Sequence, residues 1–353
     1  MSQFIQLHIL TSYPPANLNR DDLGRPKTAK MGGVDRLRVS SQSLKRTWRT
    51  SDLFQAAMSG HVGIRTKCLG LEAYQGLVAQ GVAEKKALGW AKEIAGQFGA
   101  LKKDKNKPLK ELEIEQLVHI SPAEQQAIDA LVTLLASEQR GPETDELTLL
   151  RKEEQAVDIA LFGRMLASKP AFNIEAACQV AHAISVHPVV IEDDYFTAVD
   201  DLNDHSEDAG AAHIGETGFA AGLFYTYICI NKTQLIDNLG GDQALANRAL
   251  AALTEAAVKV APAGKQNSFG SRAYASYALA EMGSQQPRSL SVAFLKPVDP
   301  RLSDDFSTDA IQALQQQQQN FDRVYGECAD GRCALNAVTG EGSLQELLAF
   351  VCE

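Results

Sequence analysis

An α+β fold, with one sheet interrupted by two insertions, is what the sequence predicts, and three observations predict it. Residues 4–13 (FIQLHILTSY) and 36–40 (RLRVS) alternate polar and apolar residues in the period of a strand, and 223–230 (LFYTYICI) reads as a buried strand. Between them, residues 59–181 are rich in Ala, Leu, Glu and Lys at helical spacing, as in EAYQGLVAQGVAEKKALGWAKEIAGQF. Residues 192–222 are acidic and Gly-rich with few core-forming side chains, which predicts a long irregular loop or hairpin.

The elements follow in order. In the first strand Ile5, Leu7 and Ile9 form the inner face. In the second, Leu37 and Val39 face a core while Arg36, Arg38 and Ser40 share the opposite face. Ser40, Ser41 and Ser43 are candidate N-caps for a helix that starts at once. On that helix Leu44 and Trp48 share one side, and Lys45, Arg46 and Arg49 fall on an arc on the other. The charged loop KKDKNKP (102–108) interrupts the helical insertion. Residues 182–191 return to an apolar, β-branched run. Helices are expected over 242–260 and 304–322, and once more in the final GSLQELLAFV. Gln315 to Gln319 fit a helix surface.

Charge is distributed unevenly. The first 50 residues hold nine Lys/Arg against three Asp, the remainder 25 against 41, within a chain of net charge −10. A basic block on an acidic protein points to a specific anionic partner. The block Arg36–Arg49 (RLRVSSQSLKRTWR) combines basic side chains, hydroxyls and a helix start, the ingredients of a phosphate site. Repeated along one stretch, they suit a polyphosphate backbone such as RNA. The plainer alternative is a solvated basic helix whose arginines pair with local acids. Arg20, Lys27 and Lys30, in the segment just upstream, tilt the balance toward nucleic acid.

With 45% hydrophobic and 22% charged residues over 353 positions, the chain is expected to be globular with more than one subdomain. No apolar run approaches the ~20 residues that cross a membrane, no signal-peptide pattern opens the sequence, and six cysteines over this length make no disulfide framework. A cytoplasmic protein without membrane contact is expected. Cys178 and His182 stand four apart on a predicted helix face, with His187 beyond. The surroundings are apolar, and Cys328 and Cys333 are too widely spaced for a zinc knuckle, so neither metal nor cofactor is expected.

Five stretches in order then carry a family resemblance: residues 4–46 (FIQLHILTSYPPANLNRDDLGRPKTAKMGGVDRLRVSSQSLKR), QAVDIALFGRM (155–165), DDYFTAVDDL (193–202), AHIGETGFAAGLFY (212–225) and APAGKQNSF (261–269). Together they resemble the backbone subunit of the type I-E CRISPR Cascade complex, the CasC family of the RAMP superfamily. The resemblance implies an RRM-like (ferredoxin-like) palm over 1–58, 182–190 and 221–353, helical fingers over 59–181 and a thumb hairpin over 191–220. It implies that several copies, about six, line up along one CRISPR RNA, kink it at intervals and present its bases to target DNA. The large, small, 5′-handle-binding and RNA-processing subunits would be the other partners. Arg20, Lys27, Arg38, Lys45, Arg46 and Arg49 would then grip the RNA backbone, with Ser40 and Gln42 adding hydrogen bonds. Arg164 and Met165, ending the second stretch, and Phe196 and Thr197 on the thumb would shape the kinks, and Lys265 would be a further contact. A Met thioether can fill the gap left by an unstacked base.

Two points stand beside this. Relatives often carry a lysine-rich finger helix facing target DNA, whereas here the corresponding SEQRGPETDELTLLRKEE is mostly acidic. Lys102, Lys103 and Lys105 in the neighbouring loop are the expected replacements. The acids Glu192, Asp193, Asp194, Asp200, Asp201, Asp204, Glu207 and Asp208 offer a rival function, a metal-dependent ribonuclease of the same superfamily. The subunits this chain resembles do not cut, so no enzyme activity is expected.

Overall fold

The strand predicted from alternation at 4–13 runs on as β1 (Phe4–Ala16) in the computed structural model. The structure describes residues 2–103, 107–152, 156–198, 213–299, 302 and 304–353. β2 (Thr28–Met31) and β3 (Val34–Val39) form an antiparallel pair, and α1 (Ser41–Arg49) and α2 (Asp52–Ala57) follow. Ser40 and Ser51 cap the two helices, each side-chain oxygen accepting a backbone N–H three residues on.

The insertion then builds a core of its own. β4 (Ile64–Thr66) pairs with β5 (Val118–Ile120), and α3 (Leu69–Ala79), α4 (Glu84–Gly96) and α5 (Pro122–Glu138) enclose Leu69, Leu77, Ile94, Ile128 and Leu135. α5 starts with a capping box between Ser121 and Glu124. α6 (Val157–Phe162) returns to the main core through Val157, Ala160 and Leu161.

The rest completes one sheet. β6 (Cys178–Val180), β7 (Ala183–Ser185), β8 (Glu192–Ala198) and the long β9 (His213–Asn231) precede α7 (Lys232–Asn238), α8 (Gln243–Lys259) and the single turn α9 (Gln266–Phe269). β10 (Ala275–Gly283), α10 (Phe306–Tyr325), β11 (Gly331–Asn336) and α11 (Leu344–Cys352) end the chain. The strand order is β11-β10-β1-β9-β7-β3-β2, with β6 and β8 also paired to β9. Every described pairing is antiparallel. Residues 192–222, expected as a loop or hairpin, contain the β8–β9 hairpin, in register from Glu192↔Phe219 to Ala198↔His213. Cys178 is a correction: it lies in a strand of the main sheet, so it shares no helix face with His182.

The sheet is covered on both faces. Ile5, Leu7 and Ile9 meet Leu44, Trp48, Leu250 and Leu347 on one side. Leu10, Tyr225 and Leu279 meet Ile311 and Leu314 of α10 on the other. Among the described residues no helix is long and apolar enough to cross a membrane.

A buried polar network sits in the second face. Glu281 is fully buried and pairs with His8, Arg288 and Arg332. His8 Nε2 lies 3.1 Å from Glu281, and Nδ1 lies 2.8 Å from the Tyr225 hydroxyl. An ionised Glu281 only accepts, so Nε2–H donates to it and Nδ1 accepts from Tyr225, the neutral tautomer. Burial pushes His8 below its usual value against the pull of Glu281. The unfolded chain therefore takes a proton below pH ~6.5 that the folded chain resists. Stability is full above that pH and is lost as pH falls through the window beneath it. The urea midpoint is expected to drop from pH 7.5 to 5.5, and His8→Gln to shrink that drop; an equal drop in both proteins would refute the assignment.

Candidate nucleic-acid interface

The basic block folds as strand, cap and helix, but its charges divide. Leu44 and Trp48, predicted to share one side, are both buried. Lys45 stands over the ring of Phe162, with Nζ 5.7 Å from the centroid, and Gln42 is exposed on the same side. Ser43, Arg46, Thr47 and Thr50, at helical spacing, line a separate cleft. Ser40 is buried and held by its cap and by a 2.9 Å bond from its N–H to Asn19 Oδ1, so its hydroxyl supports the helix.

Two arginines of the block turn inward. Arg36, expected on the polar face beside Arg38, is fully buried and donates to the carbonyls of Ser185 (2.8 Å) and Phe294 (2.9 Å). Arg49, expected on the basic arc, is a correction: its Nη1 lies 3.2 Å from Asp158 Oδ2, and only 10% of its side chain is exposed. A guanidinium this deeply paired is committed to the fold rather than presented to a phosphate.

Arg38 and Lys27 hold a second edge of the surface. Arg38 donates from Nε to the Thr28 carbonyl (3.3 Å) and from Nη1 to His182 Nδ1 (3.0 Å). Burial, then the charges of Arg38 and Lys27, lower the His182 pKa, which keeps the ring a neutral acceptor. Sequence reasoning did not place His182 here; its only signal was the return of β-branched residues after 182. Lys30 pairs with Asp35 and Arg25 with Asp193, each at 3.1 Å, so these two cations are partly neutralised.

The cleft of about 1140 Å³ lies between α1, the end of β1 and the 261–274 loop, and Arg20 and Arg46 open into it. The loop passes close to the segment that follows β1: a Cβ at Gly264 would stand 2.3 Å from the Leu18 carbonyl oxygen, which is why glycine precedes Lys265. Lys265 itself takes the left-handed conformation at φ 53° and is half-buried.

The remaining predicted residues separate sharply. Met165, three residues past the end of α6, is 82% exposed. Its neighbour Arg164 is a second correction, because its side chain is 1% exposed and pairs with Glu124 at 2.8 Å inside the insertion. Phe196 lies across Gly215 on the hairpin, where a Cβ would meet its ring at 2.3 Å, and Thr197 is exposed beside it. Lys102 pairs with Glu113, Lys103 is exposed, and Lys105 lies outside the described residues. Of the acids named for a nuclease, Asp193 is engaged by Arg25. Asp200, Asp201, Asp204, Glu207 and Asp208 lie outside the described residues. Among the described residues no group of His, Cys, Asp and Glu is placed to hold a metal ion.

The family model for the CT1975-like protein matches residues 5–348. No curated protein matches the sequence. Among solved structures, the chain is similar to a chain of a "CRISPR RNA-guided surveillance complex, pre-nicking", at 28% identity and a TM-score of 0.84, covering 99% of this chain and 100% of that one. It is also similar in fold to a chain of a "CRISPR RNA-guided surveillance complex" at 22% identity and a TM-score of 0.73, covering 98% and 99%.

Proposed function

The chain belongs to the CT1975-like protein family, and from that premise we propose that it is a CRISPR RNA-binding backbone subunit of a type I-E Cascade surveillance complex. It catalyses no reaction of its own. The main sheet serves as an RRM-like palm, the helical insertion as fingers and the β8–β9 hairpin as a thumb. Several copies, about six, line one CRISPR RNA in the cytoplasm beside the large, small, 5′-handle-binding and RNA-processing subunits. They hold its backbone, kink it and offer its bases to target DNA, so that base pairing reads sequence while protein holds shape. The observation that carries this is the end-to-end likeness, at 28% identity, to a chain of an RNA-guided surveillance complex.

The cations left for the RNA are Lys27, Arg38, Lys45 and Arg46, none of which has a carboxylate partner among the described residues. Exposed Met165, with Phe196 and Thr197, shapes the kinks. Arg20 and Lys265 join from the cleft side, and Lys103 is the nearest available contact for DNA.

Arg38→Ala with Lys45→Ala is expected to weaken guide-RNA binding and to flatten log K against log salt by about 0.7 per phosphate contact removed. Native mass spectrometry with guide RNAs of two lengths tests the assembly. More copies on the longer RNA are expected, and one copy on both would sink the proposal. Labelled RNA held with the complex and Mg²⁺ should stay intact.

A further inference from the structure

The cleft beside α1, into which Arg46 and Arg20 open, carries further chemistry on its far wall. Arg272, on the loop that forms its far wall, is exposed and faces the same space as Arg46 and Arg20. None of these three guanidiniums has an acid partner among the described residues. Lys259, Asp21 and Asp52 also line the cleft, which makes four cations against two acids. Lys259 pairs with Glu255 at 2.6 Å. Asp21 Oδ1 accepts the N–H groups of Leu23 and Arg25, both at 2.9 Å. Asp52 stands in the first turn of α2. The balance in the open space is cationic.

Tyr274 adds a different element. It is 70% exposed and lines both this cleft and an adjoining, mainly apolar recess of about 260 Å³, walled by Val258, Ala275, Leu335 and Leu344 with Lys259 and Glu341 also on its lining. An exposed aromatic ring between unpaired arginines and an apolar hollow is the arrangement that single-stranded nucleic acid uses, with backbone charge on one side and a stacked base on the other. A protein partner would be expected to bring carboxylates to three arginines and an apolar plug to the recess. A nucleotide supplies an anionic phosphate and a flat base in one unit.

We propose that this cleft is a nucleotide seat for single-stranded RNA. Arg46 and Arg272 hold a phosphodiester, and Tyr274 stacks a base over the apolar recess. α1 thereby contacts RNA on two sides, through Lys45 and through Arg46. The proposal rests on the RNA-binding function above and adds to it a base contact and two residues, Arg272 and Tyr274.

Fluorescence anisotropy of the full chain with a fluorescein-labelled oligouridylate tests it. Tyr274→Ala is expected to weaken binding about tenfold, Tyr274→Phe to bind as the wild type, and Arg272→Ser to weaken binding and flatten its salt dependence. Both positions are exposed, so unchanged thermal melting confirms that the fold is intact. If Tyr274→Ala and Arg272→Ser bind like the wild type while Lys45→Ala weakens, the seat is refuted and the RNA-binding function stands. If the wild type does not bind the oligouridylate, both fail. Loss of self-association in Tyr274→Ala with unchanged RNA affinity would assign the recess to a second copy of the chain and overturn the seat.

Discussion

Replacing Asp158 by alanine is expected to remove about 3–5 kcal/mol of stability, the range for breaking a buried ion pair from one side. Asp158 is fully buried on α6 and accepts three hydrogen bonds. Arg49 Nη1 reaches Oδ2 at 3.2 Å, His119 Nε2 reaches it at 2.8 Å, and the Gly63 N–H reaches Oδ1 at 2.8 Å. These donors come from the end of α1, from β5 of the insertion and from the segment entering β4. One carboxylate therefore ties α1 to the inserted subdomain. Alanine would strand a guanidinium inside the protein and leave the Gly63 N–H unpaired. Asparagine keeps an acceptor without the charge, and its loss should be intermediate. Equilibrium urea unfolding measures both, and an alanine variant within 1 kcal/mol of the wild type would refute the role.

The acid limb of the stability curve tests the same carboxylate. Burial alone would raise the Asp158 pKa, but the His119 hydrogen bond and charge, the Gly63 N–H and Arg49 hold it below the usual carboxylate range. A depressed carboxylate contributes stability that is complete above the unfolded value near pH ~4 and disappears as pH falls through the folded value. The alanine variant should therefore show a shallower decline below pH ~4 than the wild type. Glu281, also lowered by its partners against burial, contributes in the same window and continues to act in both proteins.

These residues mark where the sequence stops being legible. The helix after Ser40 could be read from local signals: three candidate caps, then Leu44 and Trp48 one turn apart. Lys45 and Arg46 follow from that periodicity. Arg49 does not, because its partner Asp158 lies 109 residues away and a helical wheel carries no information about a distant carboxylate. Arg36 fails for a similar reason. Strand alternation sets it beside Arg38, yet only the β3–β7 pairing brings the Ser185 carbonyl within its reach. β10 carries no such signal: its Ala-rich sequence ASYALAEMG lacks alternation because both its faces are covered. Acids and glycines hide the pairing pattern of the β8–β9 hairpin, while the long apolar half of β9 is plain in the sequence.

Glu124→Ala is the second large effect expected, again about 3–5 kcal/mol by urea unfolding. Its carboxylate is fully buried and does several jobs. It closes the capping box by accepting the Ser121 N–H at 2.9 Å, and it accepts the Arg151 N–H at 2.9 Å. It also receives Arg164 Nη1 at 2.8 and 2.9 Å, while Arg164 Nη2 donates to the carbonyls of Arg151 (3.0 Å) and Phe172 (3.3 Å). Arg164 is thereby fixed through both terminal nitrogens, and the next residue, Met165, is 82% exposed. Glutamine at 124 retains the cap and loses the charge, so it should cost less than alanine. Met165→Ala removes an exposed side chain and should leave stability within about 0.5 kcal/mol. The contrast separates holding from shaping. Glu124→Ala should disturb both folding and the periodic chemical reactivity of bound guide RNA, and Met165→Ala only the second. Equal RNA reactivity patterns in Met165→Ala and wild type would leave Met165 without a part in the kink, and Arg164 would then be pinned for the fold alone.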